Sequence, residues 1–299
     1  MRKLIGVISL FMLLGLLSAC GRGKVDVTND SFEDRIVVQG LIFPGESVEN
    51  ILITRNVRLD ENFGNLQNII LEDAEVSLTD EASGTAYPLS FNGFTYGYEG
   101  DGLEIVAEGT YTLAVKATVN GRVLEASTST TVPPLGFRIE GQTHERLAYR
   151  LKDANGEAIN PKLTIRRSPN TTYYLTTIKP RRPSSDNFIY DNPFTNEKPK
   201  DVDENIDDYN YAWDWIQNTP LDVGESTIEL FWFYFWFYDS YTIKVYATDQ
   251  NYRNFMQTFS DVQEPDGNFH EPVFRFDGEG IGFFGSALVD SVTIDVVRE

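Results

Sequence analysis

The chain has 299 residues, which bounds it to one large or two ordinary domains. Asp and Glu number 45 against 25 Lys and Arg, and a net charge of −20 repels a phosphate backbone, which argues against nucleic acid as a partner. One cysteine and two histidines exclude a disulfide framework and a Cys/His zinc site, while 41% hydrophobic and 13% aromatic residues suffice for a packed core.

The N-terminus reads as an address. Arg2 and Lys3 precede Leu4–Leu17, a stretch without a charge. It is too short to span a hydrocarbon core of about 30 Å, and it has the length of a signal-peptide h-region. It ends in Leu17-Ser18-Ala19-Cys20, which resembles a bacterial lipobox, with small residues before a cysteine whose thiol accepts the lipid. Residues 1–19 are therefore expected to be a lipoprotein signal peptide, leaving Cys20 as an acylated, palmitate-bearing N-terminus. Acyl chains contribute about 0.8 kcal/mol per buried CH₂, so two or three of them anchor a protein stably where one does not. Residues 20–33, polar and turn-rich, are expected to be a flexible tether. No later segment approaches 18 consecutive apolar residues.

Residues 34–133 have the pattern of a β-sandwich, immunoglobulin-like or transthyretin-like, without the cysteine pair of antibody domains. Strands are expected at Arg35–Phe43, Asn50–Val57 and Ala74–Thr79, the last alternating with period 2. A hairpin is expected over Ala86–Tyr98 about Asn92-Gly93, and another joins Thr110–Val119 to Arg122–Thr128 through Asn120-Gly121. Pro133-Pro134 is the expected boundary.

Residues 135–299 read as a second β-rich domain with one helix. Strand-like runs cover Gly136–Leu151, Lys162–Arg167 and Thr172–Ile178. Periodicity then disappears over residues 180–226, where eight acids face two lysines between Asp186 and Asp208, as in a long exposed acidic and aromatic loop. Strand returns at Thr227 and is expected to run on through Phe231–Tyr238, with another at Tyr241–Ala247. Thr248–Val262 is the expected helix, capped by Thr248 or Asp249, with Tyr252, Phe255, Met256 and Phe259 on one face. A glycine-punctuated strand pair ends at Val297.

The lipobox, the Ile36–Ile42 strand, the Asp266–Val273 segment and Gly280-Ile-Gly-Phe-Phe-Gly285 together resemble a family of Bacteroidota-type outer-membrane lipoproteins, catalogued as domains of unknown function. Arg275-Phe276-Asp277 stands where that resemblance predicts a Ser-Asn-Ile run. The resemblance implies an envelope location, since some similar proteins accompany outer-membrane transporters. It carries no catalytic residues.

Chemistry is sparse. His144 and His270 are the only imidazoles, no Gly-x-Ser-x-Gly elbow occurs, and no glycine-rich loop opens a helix, so no enzyme is expected and a glycan hydrolase is the weakest alternative. Asp201, Asp203, Asn205 and Asp207 offer oxygen at alternate positions, as in the first half of a calcium loop. Ile206 replaces the turn glycine and Ala212 the bidentate Glu, so a solvated acidic loop is the plainer reading and no cofactor is required.

Two aromatic rows stand out. An extended Phe231–Tyr238 places four Phe on one face and Trp232, Tyr234, Trp236 and Tyr238 on the other; Tyr209, Tyr211, Trp213 and Trp215 repeat the pattern. Either the rows cover each other as satellite core, or they form a platform for a sugar ring, a partner protein or lipid headgroups. The functional expectation is a non-catalytic binding or accessory module of the cell envelope, membrane-held through Cys20 and serving an outer-membrane transporter. The alternative is a structural component of an outer-membrane assembly complex. Neither the leaflet nor the periplasmic or cell-surface face is specified by sequence.

Overall fold

The computed structural model describes residues 32–58, 60–217, 224–261 and 272–298, so Cys20 and His270 lie outside the described residues. The fold is mainly β, as expected, and is built of sandwiched sheets. Among the described residues, no helix is long and apolar enough to cross a membrane.

Alternation and turn chemistry build the first sheet. Strands β1 (Ile36–Ile42) and β2 (Leu52–Arg55) are followed by β3 (Glu75–Asp80), β4 (Thr85–Phe91), β5 (Tyr96–Gly97), β6 (Thr110–Val119) and β7 (Arg122–Thr131). In β6 the inward residues Tyr111, Leu113, Val115, Ala117 and Val119 are buried, and Thr112, Ala114, Lys116 and Thr118 alternate with them on the outer face. Asn120 and Gly121, both at positive φ, make the two-residue turn to β7 that the sequence predicts. At Asn92-Gly93 the loop is longer, running to Thr95. Asn92 Oδ1 there accepts the amides of Phe94 and Thr95 at 3.1 and 2.9 Å.

The remaining strands are β8 (Arg138–Gln142), β9 (Arg146–Ala148), β10 (Lys162–Arg166), β11 (Tyr173–Pro180), β12 (Ala212–Gln217), β13 (Glu225–Glu229), β14 (Ser240–Thr248), β15 (Asp277–Gly278) and β16 (Gly280–Val297). Helices α1 (Pro199–Glu204) and α2 (Gln250–Asp261) lie among them. The six-stranded sheet has the order β15-β7-β6-β3-β4-β5, and a three-stranded sheet has β13-β10-β8. The seven-stranded sheet runs β12-β11-β14-β16-β1-β2, with β9 also beside β16.

The expected boundary at Pro133-Pro134 is crossed by that last sheet. Strand β16 is one 18-residue strand rather than a pair, and it changes partners along its length. Gly280–Ser286 runs parallel to β1, Ala287–Asp295 antiparallel to β14, and Asp295–Val297 parallel to β9. Residues 34–57 and 61–299 accordingly form one unit. In the unit formed by residues 1–33 and 58–60, the Arg58 guanidinium lies 4.9 Å over the Phe32 ring. The glycines of the tail serve the close approach of strands: Gly282 sits at φ +99°, and a Cβ there would meet the Val38 carbonyl.

One face of the seven-stranded sheet enters two cores. Ile36, Val38, Ile53 and Phe284 pack with Leu78, Leu113, Val115 and Leu124 of the six-stranded sheet. Tyr174, Ile243, Val245, Leu288 and Ile294 pack with Leu163, Ile165 and Ile228 of the three-stranded sheet. The opposite face carries α2, through Tyr252 and Met256 against Tyr173, Leu175 and Phe283. Asp249 caps α2 as expected, accepting the Tyr252 amide at 3.0 Å.

Candidate functional site

The aromatic segment does not form the expected strand. Strand β13 stops at Glu229, the Leu230 amide donates to the Pro161 carbonyl at 2.8 Å, and the Trp232 amide donates to Asn160 Oδ1 at 3.0 Å. Trp232–Tyr234 then make one 3₁₀ turn, closed by Tyr234 N–H to the Phe231 carbonyl at 3.0 Å. Residues 236–238 instead pair with 187–189: the Ile189 amide donates to Trp236 O at 2.8 Å and the Tyr238 amide to Asn187 O at 2.7 Å. A turn destroys two-residue alternation, so the four Phe do not share a face. Phe235 and Phe237 are buried, Phe233 is half-buried and Phe231 is 36% exposed.

The expected long exposed loop is also corrected. Phe188, Ile189 and Val202 from that stretch are buried in the second core, and β12 joins the seven-stranded sheet. Their irregular spacing left no periodic signal. Phe188 stacks on Trp236 with ring centres 6.1 Å apart, and Tyr209 packs on both, at 5.1 and 5.0 Å. Phe194, 65% exposed, stacks on Trp232 at 5.9 Å and meets Phe233 edge-on at 5.7 Å. Phe231 and Phe233 are nearly parallel at 5.2 Å. The result is an aromatic surface formed by Phe194, Phe231, Trp232 and Phe233, a cluster in which Phe194 carried no signal of its own.

Cations and carboxylates frame these rings. The Arg150 guanidinium lies 5.1 Å over Trp232 and that of Arg298 lies 4.9 Å over Tyr238. The Tyr234 hydroxyl donates to Asp214 Oδ2 at 2.8 Å; burial, then that bond and the carboxylate charge, push its pKa up to about 12. The Tyr209 hydroxyl donates to Glu197 Oε1 at 2.9 Å. Thus Tyr209 touches Trp236, and Tyr234 binds the strand that bears Trp213, so part of the two rows does cover each other. Tyr211 and Trp213, at 47% and 45% exposure, remain open; Trp215 lies on β12 with its side chain outside what is described.

The calcium arrangement does not form. Asp201 and Asp203 lie on α1, and Asp207 lies in the 3₁₀ turn Ile206–Asp208, where helical rotation replaces the alternating inward aim of an extended loop. Asn205 Nδ2 donates to the Asp201 carbonyl at 3.0 Å, and Asp207 accepts from Asn210 at 2.7 Å. Among the described residues, no three acidic, histidine or cysteine side chains gather as metal ligands. Half-buried His144 shares a 2.9 Å hydrogen bond with the hydroxyl of Thr143 beside it.

The protein is thus of the mainly-β class, with shared sheets and an aromatic surface at one sandwich. The chain belongs to the DUF4249 family, a domain of unknown function, matched over residues 24–292. No curated protein matches it. Among solved structures, the crystal structure of the FN1–FN3 domains of chicken CNTN1 is similar at 10% identity with a TM-score of 0.17, over 85% of this chain. The chain spans 64% of the length of that structure.

Proposed function

We propose that this chain is a lipid-anchored outer-membrane protein of Bacteroidota-type bacteria. It binds rather than catalyses, as an accessory to an outer-membrane transporter. The observation that carries the location is Cys20, the only cysteine, placed directly after an uncharged stretch and two small residues. The binding role is supported by the aromatic surface, because exposed Phe194 and Phe231 beside partly open Trp232 resemble the centre of an interface more than an ordinary solvated face. The assembly-component alternative draws on the contact of Tyr209 with Trp236, by which part of the two aromatic rows covers itself instead of facing a ligand.

Labelled palmitate and membrane fractionation test the anchor, with co-purification of envelope partners beside them. Cys20→Ala is expected to abolish labelling and release the chain from the membrane. Phe194→Ala with Phe231→Ala is expected to leave folding intact and weaken partner capture by at least about tenfold, since interface aromatics each carry about 2 kcal/mol. Unchanged labelling overturns the anchor; unchanged capture leaves the aromatic surface without a binding role.

A further inference from the structure

The outer face of the seven-stranded sheet, beside α2, holds a cleft of ≈ 600 Å³ lined by Phe43, Tyr211, Tyr246 and Tyr252, and by exposed Glu46 and Glu49. A second hollow of ≈ 360 Å³ shares Thr177, Tyr211 and Tyr246 with it, and is otherwise lined by Lys179, Pro180, Arg181, Lys244 and Thr242. Among the described residues, no Lys or Arg lines the first hollow and no Asp or Glu the second, so the two tyrosines stand between an acidic end and a basic end. The combined space suits a ligand, since such sites are aromatic-walled clefts of about 300–1,000 Å³ with a few placed polar groups.

Strand register sets its span. Tyr246, Lys244 and Thr242 alternate along one face of β14; Thr177 pairs with Lys244, and Lys179 with Thr242. At about 3.3 Å per residue, Tyr246 and Thr242 lie about 13 Å apart. On the other side, the Phe43 ring is 6.2 Å from that of Tyr246. Burial and the nearby Glu46 carboxylate both hold the Tyr246 phenol above its ordinary pKa, while its bond with Thr177 lowers it.

The basic end is unusual in a chain of this charge. Lys116, Lys162 and Lys200 each face a glutamate elsewhere on the surface. Among the described residues, Lys179, Arg181 and Lys244 have no carboxylate partner, and Arg181 spends its donors on the hydroxyls of Thr242 and Thr293, at 3.2 and 3.0 Å. Three cations concentrated at one end of a cleft, and two carboxylates at the other, match a linear ligand with opposite charges at its ends. A neutral glycan would use neither. A short unblocked peptide carries both, with hydrophobic side chains between them and a backbone about 3.3 Å long per residue.

We propose that the two hollows form one site for a short peptide, its ammonium beside Glu46 and Glu49, its carboxylate among Lys179, Arg181 and Lys244, and its apolar side chains on Tyr211 and Tyr246. This goes beyond the binding reading, because the site uses none of the residues of the aromatic surface, and it does not depend on the anchor or on Phe194 and Phe231.

Calorimetric titration of the full chain in detergent, at low salt, tests it with the tetrapeptide Leu-Ala-Leu-Ala in free, N-acetylated and C-amidated forms. Amidation is expected to weaken binding at least about tenfold in the native chain, and hardly at all in Lys179→Gln/Lys244→Gln. Acetylation is expected to do the same, with its effect lost in Glu46→Gln/Glu49→Gln. Tyr211→Ala, at an exposed position, should weaken all three forms alike. The proposal is overturned if the free peptide gives no binding at millimolar concentration, if a doubly blocked peptide binds as well as the free one, or if the blocking groups cost the same in the charge variants as in the native chain. None of these outcomes bears on the palmitate label or on partner capture, so either reading can fail alone.

Discussion

In the six-stranded sheet two of the strand pairs close through short turns: β6 meets β7 across Asn120-Gly121, and β3 meets β4 across four residues. In the seven-stranded sheet, β16 meets β1 from the opposite end of the chain, and β11 meets β12 only after the excursion from Arg181 to Tyr211. The burial patterns differ in the same way. Strand β6 alternates, because one face is solvated; in β11 every residue from Tyr173 to Ile178 is buried, because Tyr174 and Ile178 enter a core and Tyr173 and Leu175 lie under α2. A strand pair closed by a short turn carries its register in turn chemistry and alternation, whereas a strand buried on both faces, as β11 is between β12 and the still-alternating β14, carries it in packing. Disrupting packing should therefore cost most in the second sheet and its cores, and turn chemistry should matter chiefly in the first.

The largest effect is expected at the aromatic segment. Phe237→Ala empties a fully buried position beside Phe188 and should cost about 3–5 kcal/mol in urea unfolding, a large share of a stability of about 5–15 kcal/mol. Phe233→Ala, half-buried in the 3₁₀ turn, should cost less than half as much, whereas the alternating strand expected from sequence requires equal costs. Equal measured costs would restore the strand.

A smaller effect is expected at the junction of the sheets. Buried Asp249, the cap of α2, accepts from the Thr130 hydroxyl of β7 at 2.8 Å, and its amide donates to the Ser286 carbonyl of β16 at 2.9 Å. Asp249→Ala removes the cap and one of the two hydrogen bonds of the Thr130 hydroxyl, which keeps its 2.8 Å bond with Ser286 Oγ, and should cost about 1–2 kcal/mol in all. Asp249→Asn keeps a capping oxygen and should cost less. Burial raises the Asp249 pKa above its unfolded value, outweighing the hydrogen bonds that lower it. The folded protein therefore takes up a proton before the unfolded chain does, so this group's contribution to stability is full below the unfolded pKa and is lost as pH rises through the folded one. The stability of the native chain relative to Asp249→Asn should consequently increase as pH falls from 7 towards 4, measured by unfolding across that range. A gap that shrinks on acidification would contradict the raised pKa.

The smallest effect belongs to the hairpin. Gly121→Ala forces a side chain into φ +80° with no contact to relieve or worsen it, and should cost about 1 kcal/mol. A cost near that of Phe237→Ala would mean that turn chemistry, not packing, dominates both sheets.

Much of the strand framework was legible. The bounds of β6 coincide with the run expected from alternation, the Asn120-Gly121 turn was signalled by its residue pair, and Asp249 was a candidate cap because a carboxylate preceded the amphipathic run of α2. The candidate site was less legible. Phe231–Tyr238 alternates in composition, yet the Asn160 side chain and the 187–189 segment draw its amides into a turn and a short pairing that lie far away in sequence. Asp201–Asp207 has the spacing of an extended ligand loop, but Pro199 opens a helix there.

Sequence by itself determined what depends on neighbouring residues: the β class, the turn positions, the helix cap, and the expectation that Cys20 carries lipid. Tertiary structure alone decided what depends on distant residues: the triple partnership of β16, the sharing of one sheet by two cores, the half-open aromatic surface, and the cleft in which Glu46 meets tyrosines 165 and 200 residues downstream. The physical reason is that hydrogen bonding in turns and caps acts over a few residues and leaves a local pattern. Burial is indifferent to separation along the chain, so the side chains it brings together need share no period at all.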